Sequence, residues 1–235
     1  MKLIQPINIV YGENRRVFPQ ILLHYRESLI LCVLAMMLAL LLAFMITYIT
    51  LLSFKRYIDK IKIVLTFLES LPDLFIIVTF QLIVLIIFKN TGWLIFNLAS
   101  LGDERSIFLP AICLSIPISL LFGRLLLQQY ENELRKSYIE YAISKGLSFF
   151  YILNKHVLRN VIVGLFSYSK TIVWFMLSNL IIIEYLFNVN GITTFLIEYH
   201  TSEVFALGVL LLYIPLFLFY KIYHLLLPPM LKGEK

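Results

Sequence analysis

The sequence SLILCVLAMMLALLLAFMITYITLLSF occupies residues 28–54 and contains no Asp, Glu, Lys or Arg. An α-helix needs about 20 apolar residues to cross the roughly 30 Å hydrocarbon core of a bilayer, so this stretch predicts a transmembrane helix. Four further apolar stretches have comparable length, at 63–88, 107–127, 161–187 and 204–227. Helices satisfy their own backbone hydrogen bonds, which lipid cannot do for them. We therefore expect an all-α polytopic membrane protein with about five transmembrane helices.

The composition excludes the main soluble classes of protein. Hydrophobic residues make up 60% of the 235 residues and charged residues 14%, whereas soluble domains average about 45–50% and about 25%. A soluble enzyme could not bury so much apolar surface, and disorder requires low hydrophobicity. The formal net charge of +6 is typical of basic membrane loops. No basic run is interleaved with aromatic residues, so we expect no nucleic-acid partner.

The basic residues predict the orientation of the chain. Fourteen of the 20 Lys and Arg residues lie in the loop 55–62, the stretch 124–160, the C-terminal end and the adjoining helix ends. Six lie on the alternate faces, and residues 188–203 contain none. Because cytoplasmic loops are enriched in Lys and Arg, the first set is expected to be cytoplasmic. The tail 228–235 would then be cytoplasmic, and the N-terminal tail 1–27 would be extracytoplasmic or interfacial.

The longest polar stretch, Arg124–Asn160, lies between the third and fourth predicted spans. Its first half predicts a helix, because apolar residues recur there at helical spacing. Gly146 then predicts the helix end, since glycine readily adopts the left-handed conformation of a C-terminal turn. Ser148 is suited to cap a second helix over residues 149–160. We predict a helix–turn–helix on the inner membrane face that presents a short helix to a soluble partner. The apolar residues of the first helix are Leu134, Tyr138, Tyr141 and Ala142.

Residues 137–160, SYIEYAISKGLSFFYILNKHVLRN, resemble the cytoplasmic "EAA" loop of permease subunits in binding-protein-dependent ABC importers. The similarity is greatest to the dipeptide, oligopeptide and nickel branch, whose loop reads roughly D-Y-V-x-x-A-x-A-K-G-L and later H-A-L-R-N. Ser137 replaces the acidic residue of that pattern. Residues 184–193 are similar to the family's E-x-x-F-x-x-P-G-L-G, with Asn190 for proline and Thr193 for the second glycine. The loop positions that agree are Tyr138, Ala142, Lys145, Gly146, Leu147, His156, Leu158, Arg159 and Asn160.

The resemblance implies a permease domain over residues 28–227, with its cytoplasmic loop at 128–160, that forms half of a translocation pathway. It implies a multi-pass protein of the bacterial plasma membrane with a second homologous permease subunit, as a heterodimer, and an extracytoplasmic substrate-binding protein. Two ATPase subunits would carry ATP and Mg, so this chain is expected to be neither an enzyme nor the holder of a cofactor. The substrates would be peptides or related small solutes such as metal chelates.

The resemblance also implies roles for individual loop residues. The loop would dock on the ATPase. For the second half of the loop, the basic residues themselves favour a structural role, in which they anchor the loop to headgroups or to its own helix ends. The ATPase-coupling residues would be Tyr138, Glu140, Tyr141, Ala142, Lys145, Gly146 and Leu147. The anchoring residues would be His156, Arg159 and Asn160.

Two acidic residues in the predicted spans are candidates for the pathway, because charge inside a membrane usually faces a cavity or a partner. Asp73 follows Pro72 in the second predicted span and either lines the pathway or makes a packing contact with the adjacent span. Glu184 lies at the outer end of the fourth predicted span. It either organises the turn at 188–191 or takes part in a gate.

Two other functions remain open. A secondary transporter or channel would need an internal repeat or broken helices, and the sequence shows no convincing repeat. A non-transporting sensor subunit with ABC architecture is compatible with the altered turn at 190–193. The four histidines lack metal-ligand spacing and the two cysteines lie in apolar stretches, so we expect no metal site.

Overall fold

The computed structural model describes residues 10–11, 15–91, 107–199 and 201–226. The described part is helical except for an antiparallel pair of two-residue strands, β1 (Val10–Tyr11) and β2 (Arg15–Arg16). This confirms the predicted all-α fold. The predicted tail 228–235 lies outside the described residues, as do 1–9 and 12–14 of the N-terminal tail. The helices are α1 (Val17–Ser53), α2 (Ile58–Glu69), α3 (Asp73–Thr91), α4 (Phe108–Leu134), α5 (Ser137–Ser144), α6 (Phe149–Tyr151), α7 (Leu158–Leu186), α8 (Ile192–Glu198) and α9 (Ser202–Leu226).

Four helical stretches are long and apolar enough to cross a membrane. They are Val17–Ser53, Asp73–Asn90, Phe108–Leu134 and Phe149–Leu186. The first begins well before the predicted start at Ser28, so the last part of the predicted N-terminal tail is helical. The fifth predicted span falls on α9, a helix of 25 residues that begins with the apolar stretch Ser202–Ile214. The structure therefore confirms a polytopic membrane protein.

The second predicted span, 63–88, is wrong as a single helix. α2 ends at Glu69 and α3 begins at Asp73. The break is at Pro72, which has no backbone N–H and disfavours the helical conformation of the residue before it. The Pro72 carbonyl accepts the Ile76 N–H at 3.2 Å, so the second helix starts afresh after the proline. The spanning part is therefore Asp73–Asn90, and α2 is a separate amphipathic helix that packs on α4.

The described residues divide into two compact units, one of which is Ile30–Val189. The centre of this unit is α4, which packs against α7, α2 and α3. Helix α1 approaches α4 through small side chains: a Cβ added at Gly123 would lie 3.7 Å from the Cα of Ala43. Ala35 and Ala39 continue this buried small-residue face of α1. Small residues let helix backbones approach closely in membranes, where packing drives association.

The second unit contains the described residues of Met1–Leu29 and Asn190–Lys235. Its own core joins the first turns of α1 to α8 and α9 through Ile21, Phe195 and Val204. His24 Nδ1 donates to the Asn190 carbonyl at 2.9 Å. The Ile192 N–H donates to Ser28 Oγ at 2.7 Å. These bonds fix the start of α8 against α1 within this unit.

Candidate functional site

The predicted turn of the loop is confirmed at Gly146. α5 ends at Ser144, and Gly146 has a φ of 76°, in the left-handed region that glycine adopts without strain. The Gly146 N–H donates to the Ile143 carbonyl at 2.9 Å, and the Leu147 N–H donates to the Ala142 carbonyl at 3.4 Å. These two bonds make a Schellman motif, which satisfies the last carbonyls of the helix. The helix end therefore has a defined shape rather than a frayed one.

The second half of the loop differs from the prediction. Ser148 Oγ accepts the Tyr151 N–H, which confirms the predicted N-cap. The helix that it caps does not end at Asn160, because α6 continues through a π-helical turn, Ile152–Val157, directly into α7. Residues 128–134 of the predicted loop likewise belong to α4. The exposed loop is therefore short, and both of its ends are spanning helices.

α5 has one buried and one exposed side. Ala142 faces the body of the protein together with Ile139, a residue that the sequence pattern did not single out. Tyr141 is 61% exposed and Ile143 is 54% exposed. The Lys145 ammonium lies 4.4 Å from the centre of the Tyr141 ring, which is close enough for a cation–π contact. Glu140, Gly146 and Leu147 are also exposed.

The buried carboxylate of Glu133, near the end of α4, holds the loop in place. Tyr138 Oη and Asn160 Nδ2 each donate to Glu133 Oε1 at 2.7 Å. Lys136 Nζ lies 2.6 Å from Glu133 Oε2. Three charge-assisted contacts thus meet at Glu133, and through them Tyr138 of α5 is linked to both α4 and α7. Among the predicted anchoring residues, Asn160 takes part in this network.

Burial of the Tyr138 phenol, and its hydrogen bond to Glu133, raise the pKa of Tyr138 to about 12. Both effects favour the neutral phenol over the phenolate, because the phenolate would be desolvated and would face a carboxylate. The phenol therefore keeps its proton at neutral pH and continues to donate to Glu133.

The π-helical turn is tied to two other helices by a chain of hydrogen bonds. Tyr130 Oη donates to Tyr48 Oη at 3.0 Å, and Tyr48 Oη donates to Asn154 Oδ1 at 2.8 Å. Tyr130 is fully buried, and its ring meets the Tyr48 ring edge to face. α4, α1 and the π-helical turn are thus connected through polar side chains that no sequence pattern predicts as partners.

His156 and Arg159 line a cavity of about 330 Å³ together with Tyr138, Lys155 and Asn160. The His156 ring packs edge to face on the Tyr151 ring, with 5.8 Å between centroids. The structure therefore brings all three predicted anchoring residues to one place. Their anchoring of the loop to headgroups stays a prediction.

The two candidate pathway residues lie apart. Asp73 is in the first turn of α3, and its Oδ2 accepts a hydrogen bond from Asn179 Nδ2 of α7 at 3.1 Å. It thus makes the packing contact between spans, and a role in lining the pathway stays a prediction. Glu184 is fully buried in α7, and its carbonyl accepts the Val189 N–H at 2.9 Å in the turn that ends this helix.

Comparison with known proteins identifies the family of this membrane protein. Residues 35–232 match the family of binding-protein-dependent transport system inner membrane components. The chain belongs to this family. Provisionally named peptide transport system permease proteins of Brucella abortus (strain 2308) and Brucella suis biovar 1 (strain 1330) are each 28% identical to it over 111 residues. The match covers 47% of this chain and 35% of each relative, so the chain spans about a third of the length of these relatives.

Family membership confirms the resemblance to permeases of binding-protein-dependent transport systems and makes the chain a multi-pass membrane protein.

Two ion pairs that the sequence did not reveal hold α2 along α4. Lys62 Nζ lies 2.6 Å from Glu131 Oε2, and the Arg124 guanidinium forms a two-point contact with Glu69. The Glu131 and Asp59 carboxylates raise the pKa of Lys62, so its charge persists at neutral pH. Glu69, the last residue of α2, is therefore a partner of α4.

No cluster of three or more His, Cys, Asp or Glu side chains suited to a metal occurs among residues 10–11, 15–91, 107–199 and 201–226. Cys32 and Cys113 are free and buried.

Proposed function

We propose that this chain is the permease subunit of an ATP-driven importer and forms half of its translocation pathway. The other half would be a second homologous permease subunit in a heterodimer. Two ATPase subunits would supply ATP and Mg chemistry, and an extracytoplasmic binding protein would deliver the solute. The observation that carries the proposal is the exposed apolar surface of the turn that ends α5, in a chain of this transport family.

This surface, which we call the docking turn, comprises residues 140–147. Tyr141, Ile143 and Leu147 give it an apolar centre that lies outside the four candidate spans. Glu140 and Lys145 give it charged edges. An apolar centre with polar edges is the usual composition of a protein interface. A partner with a hydrophobic cleft of one or two helix turns, as an ATPase subunit would provide, fits this surface.

The docking turn is built to transmit movement. Glu133 fixes Tyr138 to the end of α4 and also fixes Asn160, near the start of α7. A partner that moves the docking turn therefore displaces the ends of two candidate spans together. ATP-driven closure of an ATPase pair would use such a connection to change which side of the pathway is open.

The solutes that we propose are peptides or related small solutes such as metal chelates. The names of the Brucella relatives support the peptide assignment. We place the docking turn and the C-terminus in the cytoplasm of a bacterium and the N-terminus outside the plasma membrane, on the distribution of basic residues.

The experiment is extraction of the tagged chain in gentle detergent, followed by mass spectrometry of the proteins that co-purify. The parent chain should bring down an ATPase and a second permease. Gly146→Trp should lose the ATPase but keep the second permease and normal membrane insertion, because nothing lies within 4 Å of a Cβ at Gly146 and the indole would project from the docking turn.

The matched control is Gly146→Asn, since asparagine tolerates the left-handed conformation better than other side chains. It should retain the ATPase. Normal ATPase recovery with Gly146→Trp would contradict docking at this turn. Recovery of the parent chain alone, or only with copies of itself, would contradict the importer and favour a secondary transporter or channel.

A further inference from the structure

The cavity between α5 and the start of α7 carries a positive charge that the proposed transport function does not use. Lys155, His156 and Arg159 contribute three nitrogen-bearing side chains to it. Lys155 and Arg159 are exposed. No carboxylate lies within ion-pair distance of either within the part of the chain that the structure describes. The cavity can therefore offer an ammonium, a guanidinium and an imidazole to a ligand.

The opposite wall of the cavity does not cancel this charge. Tyr138 and Asn160 both direct their donors to Glu133, and the remaining oxygen of Glu133 is paired with Lys136. The carboxylate beneath the cavity is thus already neutralised by its own partner. An anion that enters the cavity would meet the basic side chains first.

The position of the cavity along the helix fits the level of lipid headgroups. Residues Phe149–Leu186 form 38 residues of continuous helix, or about 57 Å, whereas the hydrocarbon core is roughly 30 Å thick. One end of this helix must therefore extend beyond the hydrocarbon. Lys155 and Arg159 lie just before the apolar run that starts at Val161. Ile162, on the same side as Arg159 by helical spacing, is exposed and can contact an acyl chain.

We propose that this cavity binds the phosphate group of an anionic phospholipid. The Arg159 guanidinium can contact two phosphate oxygens at once, and Lys155 adds a point charge. His156 adds an N–H donor beside them. A lipid is favoured over free phosphate as the source because the cavity adjoins an exposed apolar helix face. Lipid binding at this cavity does not require an ATPase, so its test is independent of the test of the docking turn.

The test is native mass spectrometry of the delipidated full chain titrated with phosphatidylglycerol or with phosphatidylcholine. The parent should bind phosphatidylglycerol more tightly than phosphatidylcholine. The double variant Lys155→Gln, Arg159→Gln should bind phosphatidylglycerol about 30-fold more weakly, since each basic side chain near a lipid surface contributes about fivefold. Arg56→Gln, Lys60→Gln is the matched control, because it removes an exposed Arg and Lys that are also four residues apart. It should leave binding unchanged.

Three results would overturn the proposal. The first is equal phosphatidylglycerol binding by the double variant and the parent, provided that both show the same thermal unfolding. The second is equal affinity of the parent for the two lipids. The third is displacement of bound phosphatidylglycerol by an equimolar amount of inorganic phosphate, which would assign the cavity to free phosphate instead of to a lipid.

Discussion

The ends of α5 and α7 use the same backbone motif in opposite surroundings. At the end of α7, Asn188 has a φ of 50°, and its N–H donates to the Tyr185 carbonyl while the Val189 N–H donates to that of Glu184. This is the Schellman pattern also found around Gly146. Phe187 and Val189 are buried, whereas the corresponding Lys145 and Leu147 are exposed. One motif serves packing at α7 and presentation of a surface at α5, so its surroundings rather than its backbone decide its role.

The largest expected effect is a difference in stability between substitutions at the end of α7 and at the end of α5. Phe187→Ala should destabilise the protein by about 3 to 5 kcal/mol, because it leaves a cavity where a fully buried ring was. Lys145→Ala, at the equivalent exposed position, should change stability by less than about 0.5 kcal/mol. Thermal unfolding of both variants in the same detergent measures the difference. Similar losses would mean that the two ends are equally packed.

A second variant tests what holds the exposed end in place. Glu133→Gln removes the negative charge that accepts hydrogen bonds from Tyr138 and Asn160 and pairs with Lys136. We expect the free energy of local unfolding to fall by about 2 kcal/mol. Amide hydrogen exchange of residues 137–147 should become faster, while that of residues 183–189 stays unchanged. Equal acceleration at both ends would show that Glu133 stabilises the whole unit and not the docking turn in particular.

A third set of variants replaces the two residues with a positive φ, Gly146 and Asn188. Gly146→Asn and Asn188→Gly should each fold normally, since both residues tolerate a positive φ. Gly146→Val and Asn188→Val should each cost about 1 to 2 kcal/mol through backbone strain. At the buried end of α7, the strain should lower the stability of the whole protein. At the exposed end of α5, it should only make local opening easier. Thermal unfolding combined with hydrogen exchange distinguishes the two, and global destabilisation by Gly146→Val would contradict the comparison.

The last expected effect is a dependence on pH at the exposed end alone. The pKa of Tyr138 is raised to about 12 in the folded protein, compared with about 10 for an unperturbed tyrosine. A raised pKa of this kind means that its stabilisation is complete below about pH 10 and is lost as pH rises towards 12. Hydrogen exchange of residues 137–147, corrected for the intrinsic rate, should show this loss. Tyr138→Phe should abolish it, and an unchanged profile in that variant would assign the effect to another group.

Local chemistry made part of this structure predictable. The turn at Gly146 and the cap at Ser148 follow from the preferences of single residues, and hydropathy identified the spans and hence the fold. The break at Pro72 was missed because the apolar run continues across it, although proline and its effect on the preceding residue are the physical cause. Hydropathy detects the length of an apolar segment, but it does not detect a break between two helices inside that segment.

The contacts between distant residues could not be predicted from one sequence. Glu69 and Arg124 are 55 positions apart, and Tyr48 and Asn154 are 106 apart. Each side chain alone has an ordinary explanation, such as an interfacial charge or an aromatic in a span. Only the packing of α2 on α4, and of α1 near the π-helical turn, brings the partners together. Glu133, which holds the loop, was missed for the same reason.

The unbroken helix from Phe149 to Leu186 has a mechanical consequence. A rod of about 57 Å that pivots near its middle and is pushed sideways by about 5 Å at one end tilts by about 10°. Its far end, where Glu184 lies, swings about as far in the opposite direction. Leverage alone then carries a force from one membrane face to the other, and no relay of side chains along the way has to change its partners.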